Sequence, residues 1–304
     1  MKALFVRQSL DGGRLPVGRH VATEGVRGYY IDFREKTTEP RWPPEWFPWP
    51  GFHRFMAISQ WGLGCYERYL SGEGDEWLTA ALAAGQHLAS EQGSAGGWAE
   101  PNGTHTYRLS APWLSAMAQG QCSSLLVRLS LETGAQELAA SARRGLVPLH
   151  LPSARGGVAA TLAGGPFFEE YPTNPPSFVL NGAIFAAWGV RDVAVGLGDA
   201  GAESLFSASV ETLAGAVERW DTGYWSLYDL YPHRVRNVAS PFYHALHARQ
   251  LRLLAGMTGR SELEATAERF ESYGRRWRNR ARALGEKVVF RLLVPHGRRG
   301  AVRA

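Results

Sequence analysis

Apolar residues recur every three to four positions in four long segments that begin near Arg54, Ser115, Ser177 and Ser240. That spacing predicts helices with one buried face. Each segment ends in a glycine-containing break: Ser71-Gly72-Glu73-Gly74, Glu132-Thr133-Gly134, Gly196-Leu197-Gly198 and Met257-Thr258-Gly259. A second amphipathic segment follows each break, over Asp75 to Gln92, Ala135 to Leu151, Asp199 to Asp221 and Ser261 to Arg282. In the last of these, Leu263, Ala267, Phe270 and Tyr273/Gly274 alternate with charges at helical spacing. Asp75, Asp199 and Ser261 are the expected N-caps, because a short polar side chain satisfies the free amides of a first turn. Glycine is the expected stop, since it enters the left-handed region without steric cost.

The unit of helix, tight turn, helix and long connection recurs about every 61, 62 and 63 residues. Four units make about eight helices. An α-solenoid has shorter repeats, of about 34 to 47 residues. The expected fold is therefore all-α dominated, an α/α toroid (an incomplete barrel) of about four helical hairpins, with small β elements in the N-terminal arm and the long connections. Those connections run over 93–114, 152–176 and 222–239. Loops of this length are usually functional or disordered. Trp98, Tyr107, Phe167, Phe168, Tyr171, Tyr224, Trp225 and Tyr228 within them argue for order. In stacked hairpins the tight turns share one end and the long connections the other, so the aromatic connectors should converge on one rim.

Three parts are expected: an extended arm with a short strand over 1–50, packed on the toroid; the toroid over 51–284; and a basic tail with a strand over 285–304. Gly28-Tyr29-Tyr30-Ile31-Asp32-Phe33 reads as the arm's strand. Pro40 to Pro50 carries five prolines interleaved with Trp42, Trp46 and Trp49, an extended run whose tryptophans should be covered. Val288 to Val294 reads as the final strand.

Composition narrows the class. With 45% hydrophobic and 20% charged residues, the 304-residue chain is an ordinary globular protein, which excludes disorder. The net charge of +5 admits a polyanionic partner, but Arg275, Arg276, Arg278, Arg280 and Arg282, then Arg298, Arg299 and Arg303, place much of it near the end. That stretch reads as a solvated face and tail. Cys65 and Cys122 lie in apolar helical stretches and read as buried free thiols. No apolar run approaches the roughly 18 residues of a spanning helix. The opening MKALFVRQSLDGG has too short an apolar run for a secretion signal, so a cytoplasmic location is expected.

Candidate chemistry sits in the connections. One reads Phe167-Phe168-Glu169-Glu170-Tyr171-Pro172 and leads to Asn181-Gly182; two carboxylates beside a tyrosine can form a poised acid/base site. The next reads Asp221-Thr222-Gly223-Tyr224-Trp225-Ser226-Leu227-Tyr228-Asp229-Leu230 and leads to Tyr243-His244. An earlier one offers His105, Tyr107 and Arg108 ahead of Gln119-Gly120-Gln121. His244 and His247 stand one turn apart, but no third ligand is evident, so neither a metal nor another cofactor is expected.

These strings resemble the C-terminal catalytic domain of the D-glucuronyl C5-epimerases, which convert glucuronate to iduronate in heparan sulfate and heparosan. The resemblance runs over roughly 45–280. It rests on SAMAQGQ at 115–121, EEYP at 169–172, SFVLNG at 177–182, DTG at 221–223, YDL at 228–230, and Tyr243-His244 with His247 and Gln250-Leu251. Ser59-Gln60-Trp61-Gly62-Leu63 resembles the family's Q-Y-G-L stretch. The resemblance implies an isomerase that removes the C5 proton of a uronate and returns one on the opposite face, which needs a base on one side and an acid on the other. It implies Tyr228 and Tyr243 as the proton-transfer pair, Glu170 as base or polarising group, and Tyr171 as the residue that positions the uronate. Asn181, Gln121 and His244 match family positions too and are candidate substrate contacts, although Asn181 and Gln121, at helical spacing beside apolar neighbours, read first as buried hydrogen-bonding residues. The family's arginine, three residues after the YDL tyrosine, is Tyr231 here. Arg234, Arg236, His105, Arg108 and His233 are the candidate replacements for pairing with the carboxylate.

The expected function is thus a polysaccharide uronate C5-epimerase acting on a heparosan-like or other bacterial uronic acid polymer. A lyase or glycoside hydrolase on the same toroid, or a catalytically impaired acidic-glycan binding protein, stands beside it. Glu100, Glu169, Glu170, Asp221 and Asp229 keep the hydrolase in play. The expected partner is an acidic polysaccharide, with no nucleic acid and a homodimer left open.

Overall fold

The computed structural model describes residues 15–22, 24–47, 54–294 and, for the backbone alone, 298–299. Trp49, Pro48, Pro50 and Arg303 lie outside the described residues. Four helical hairpins follow one another: α1 (Arg54–Leu70) with α2 (Asp75–Ser90), α3 (Ala116–Thr133) with α4 (Gln136–Arg144), α5 (Leu180–Leu197) with α6 (Ala200–Ala216), and α7 (Pro241–Thr258) with α8 (Ser261–Arg275). The first helix of each hairpin packs on the next one's first helix, α1 on α3, α3 on α5 and α5 on α7. The second helices lie outside, each against its own partner. The result is the expected incomplete α/α toroid.

Local chemistry explains the hairpins. Gly134, Gly198 and Gly259 end α3, α5 and α7 in the left-handed conformation. Asp199 caps α6 by accepting from Ala202 N at 2.9 Å. Asp75 and Ser261 are the first helical residues rather than the caps, which are Gly74 and Arg260. The α3–α5 seam is set by two glycines: a Cβ on Gly189 would stand 2.3 Å from Gly120 Cα and from its carbonyl oxygen, so the two backbones touch. Cys65 and Cys122 are buried free thiols.

The arm departs from the expected strand. Gly28–Phe33 forms a single antiparallel bridge, Val17 to Ile31, flanked by Gly18 N to Tyr30 O (3.1 Å) and Asp32 N to Pro16 O (2.8 Å). Tyr29, Tyr30, Ile31 and Phe33 bury their side chains in the helical core instead of extending a sheet. A 3-10 turn over Arg34–Lys36 follows at once. Trp42 is covered, as expected, by Trp61, Phe47 and His87.

The end of the chain also departs. Arg276 is extended and breaks the last amphipathic segment, and α9 (Trp277–Leu293) runs through the positions read as a strand. A short apolar run does not by itself separate strand from helix. Here the seam is helical, with Ala283 and Phe290 buried seven residues apart, while Val288 and Val289 are half-exposed. A two-residue strand does follow, Arg298–Arg299, antiparallel to Gly103–Thr104.

Candidate active site

The long connections meet at one rim. Ala99–Glu100 pairs with Trp113–Leu114, and Ala159–Leu162 forms a hairpin with Gly165–Phe168. Tyr107, Tyr224, Trp225 and Tyr228, from two connections, share a buried cluster with Ala283 of α9. Beside it, between α1 and α7, lies a cavity of about 90 Å³ whose wall includes Glu170, Tyr171, Asn181, Tyr243, Gln60 and Lys36. The rest of its lining is apolar, with Met56, Met117, Phe185 and Phe242 among it.

Glu170 is placed by its neighbour. Successive side chains of an extended segment point to opposite sides. Glu169 points away from the cavity and is fastened there, accepting from Ser177 N and Oγ (2.6 Å each) and from Phe178 N (3.0 Å). Glu170 therefore faces the site, against Gly182, where a Cβ would come 2.3 Å from its Oε2. Burial pushes the Glu170 carboxyl up to about 8, with Asp229 and Glu169 adding to the rise and hydrogen bonds from Tyr171 and Tyr228 opposing it. Glu169 is pushed up to about 7, mainly by burial, with the Ser177 and Phe178 hydrogen bonds opposing it.

Tyr228 donates to Glu170 Oε1 at 3.5 Å, and Asn181 Nδ2 to Oε2 at 3.4 Å. Tyr228 is held by backbone pairing, its N to Asn237 O at 2.7 Å and its O from Leu180 N at 3.2 Å. Tyr243 stands in the first turn of α7, which begins Ser240-Pro241; Ser240 caps that turn by accepting from Tyr243 N. The Tyr228 and Tyr243 rings meet edge to face at 4.8 Å. Burial raises the hydroxyls of Tyr171, Tyr228 and Tyr243, and the nearby Glu170 charge adds to the rise. All three are therefore protonated donors.

Tyr107 stacks on Tyr171 at 4.0 Å and donates to Asp229 Oδ2, which also accepts from Asn237 Nδ2 at 2.6 Å. Lys287 of α9 donates to Asn237 Oδ1 at 2.6 Å and lies 5.5 Å from the centre of the Tyr228 ring. The chain Tyr107–Asp229–Asn237–Lys287 braces the tyrosines from behind.

The structure thus gathers Glu170, Tyr171, Tyr228, Tyr243, Asn181 and Tyr107. It does not bring the other sequence candidates to the cavity. His244 is fully engaged by protein: its Nδ1 accepts from Ser226 N, its Nε2 meets Phe270 O at 2.9 Å, and its ring stacks on Trp225 at 3.7 Å. Burial pushes it down to about 4, so the ring is neutral. Gln121 accepts from Gln60 in the core. Arg236 pairs with Glu286 at 3.4 Å, and Arg234, His105 and Arg108 are exposed. His233 contacts Asp229 Oδ2 at 3.3 Å. Ser226 Oγ sits between His244 and His247, at 2.8 and 3.0 Å from their Nδ1 atoms. Among the described residues no group of three or more His, Cys, Asp or Glu is placed to hold a metal, and no helix is long and apolar enough to cross a membrane. Sequence reasoning missed Lys36 and Lys287. Each lies in a segment read as arm or tail, and neither carries a motif.

These features define an α/α toroid with a buried carboxylate and a ring of tyrosines at its rim. The family described as D-glucuronyl C5-epimerase C-terminus matches residues 92–272. The D-glucuronyl C5-epimerase of Caenorhabditis elegans is 33% identical over 239 residues, covering 72% of this chain and 39% of that protein. The chain belongs to the D-glucuronyl C5-epimerase family. An uncharacterized protein of Methanocaldococcus jannaschii is 27% identical over 176 residues, 57% of this chain and 54% of that one. The chain therefore spans roughly two-fifths to one-half of these relatives. Among solved structures, the unsaturated glucuronyl hydrolase of Bacillus sp. GL1 matches at a TM-score of 0.44 and 13% identity, over 75% of this chain and 61% of that one.

Proposed function

We propose that this chain is the catalytic domain of a uronate C5-epimerase, converting D-glucuronate to L-iduronate within a heparosan-like or other uronic acid polymer. The observation that carries the reading is Glu170, a buried carboxyl poised near neutrality, in hydrogen-bond reach of Tyr228 and sharing one cavity with Tyr243. The C5–H bond breaks and its electron pair passes into the adjoining carboxylate as an enolate. The C5 proton goes to a base on one face, and an acid on the other returns a proton to C5. Ionised Glu170 accepts the Tyr228 hydroxyl proton as the phenol oxygen takes the proton from C5, so that the two act together as the base. Tyr243, kept protonated by its burial, is the acid for the opposite face, and each turnover in the reverse direction exchanges the two roles.

A hydrolase needs a second carboxylate free to act across the scissile bond. Glu169 is fastened by three hydrogen bonds, and Asp229 Oδ2 is shared by Tyr107, Asn237 and His233. Both are committed to structure, which favours proton transfer over glycosidic cleavage. Proton NMR of heparosan and related uronate polymers in deuterated water tests the reading. Loss of the C5 proton signal with new iduronate signals is expected. Unsaturated ends mark a lyase, new reducing ends mark a hydrolase, and either outcome overturns it.

A further inference from the structure

The motif arginine that would pair with a uronate carboxylate is absent, and the nearby arginines face solvent or Glu286. An acid bound beside Glu170 needs a cation, because that carboxyl and its neighbours Glu169 and Asp229 otherwise repel it. Among the described residues lining the cavity, Lys36 alone carries positive charge. It comes from the N-terminal arm, outside the matched family region at 92–272.

The arm is built to hold it there. Arg34, two residues earlier, is gripped by Asp32 through NH2 to Oδ2 at 2.7 Å and backbone N to Oδ1 at 2.9 Å. Thr37 Oγ1 donates to Arg34 O at 2.7 Å and accepts from Arg68 Nε of α1 at 2.6 Å. Tyr30 is bound to Asp192 of α5 at 2.7 Å. The Lys36 ammonium donates to Gln60, whose Nε2 donates in turn to Gln121 at 3.0 Å. Burial pushes Lys36 down to about 8, so its charge is costly there and an anion in contact would stabilise it.

We infer that Lys36 is the uronate carboxylate's cation, supplied by the arm to the toroid in place of the missing arginine. This rests on the epimerase reading of the cavity. It makes the arm part of the site and gives the site its preference for an acidic sugar over its neutral counterpart. Lys36 would also hold the charge that builds on the carboxylate as C5 loses its proton.

The test is calorimetric binding of a heparosan octasaccharide and of the same octasaccharide with its carboxyls reduced to hydroxymethyl groups. Lys36→Gln removes the charge and keeps a donor for Gln60. It should weaken the acidic ligand about ten- to a hundredfold, the usual worth of a charged hydrogen bond, and leave the neutral ligand within about twofold. Lys36→Arg should restore most of the preference, which a merely structural role would not reproduce. Both variants are checked by thermal melting; if Lys36→Gln does not fold, Lys36→Met carries the comparison. Unchanged preference in the charge-removing variant overturns the inference, and C5 exchange by the wild type then still stands. Lys36-dependent binding without exchange overturns the epimerase reading instead. Wild-type protein that binds neither octasaccharide overturns both.

Discussion

Two buried polar centres in this protein use the same parts to opposite ends. At the first, Asp192 of α5 receives Arg128 of α3 at 2.6 Å and Tyr30 of the arm at 2.7 Å. Arg128 also donates to Gly28 O at 3.0 Å, and Arg191 reaches the Tyr30 hydroxyl at 3.1 Å. The buried Asp192 carboxylate has the Arg128 guanidinium in contact, so the centre ties arm to toroid as a matched ion pair. At the second, Glu170 is as deeply buried, but the groups that hydrogen-bond to it are neutral, Tyr171, Tyr228 and Asn181, and the nearest acids repel it. Its carboxyl is held near neutrality as a result. A buried carboxylate matched by a guanidinium is a structural pin, whereas one left to neutral donors keeps a proton within reach of chemistry.

Breaking the first centre should show in stability. Asp192→Asn leaves Arg128 buried and uncompensated, and should cost about 3–5 kcal/mol in denaturant unfolding. Breaking the second should show in rate. Tyr228→Phe, Tyr243→Phe and Glu170→Gln should each slow C5 exchange in deuterated water about 10²–10⁴-fold, with the melting temperature held or raised.

The pH dependence sharpens the contrast. Glu170 titrates near 8 in the folded protein against the ordinary 4.5 of a glutamate. Its proton is therefore bound more tightly in the folded state. Its contribution to stability is complete below about pH 4.5 and is lost as pH rises through about 8. Glu170→Gln should accordingly melt higher than wild type above pH 8, and the two should converge in acid. Exchange should pass through a maximum near pH 8, kcat/KM rising as Glu170 ionises and falling as Lys36 loses its proton; the absence of a rising limb between about pH 6 and 8 would remove the role of Glu170 as proton acceptor. The smallest effect is expected at the exposed arginines. Arg234→Ala and Arg236→Ala should change KM by no more than about twofold, in line with ordinary surface substitutions.

Much of this was legible in the chain. The hairpin repeat, the glycine stops and the Asp199 cap are local signals, and the helices follow them. Glu170, Tyr171, Tyr228 and Tyr243 stand in strings that mark the family, and they share one site. His244 and Gln121 stand in the same strings yet serve the core; the apolar neighbours of Gln121 at helical spacing already point that way, whereas His244 directly follows Tyr243. The strand readings at Gly28–Phe33 and Val288–Val294 failed for a common reason. An apolar run records that a segment is buried, but not whether its backbone pairs with a sheet or coils against helices.

By itself, then, the sequence determined the local elements, the family and the presence of a tyrosine–carboxylate pair, because helix periodicity, capping and short motifs are read within a few residues. Only the tertiary structure decided which of two adjacent glutamates faces the cavity, which histidines are spent on packing, and that a lysine more than a hundred residues from Glu170 and Tyr171 lines the same cavity. Those outcomes depend on burial and on what lies opposite each side chain, and both are set by contacts between segments distant along the chain.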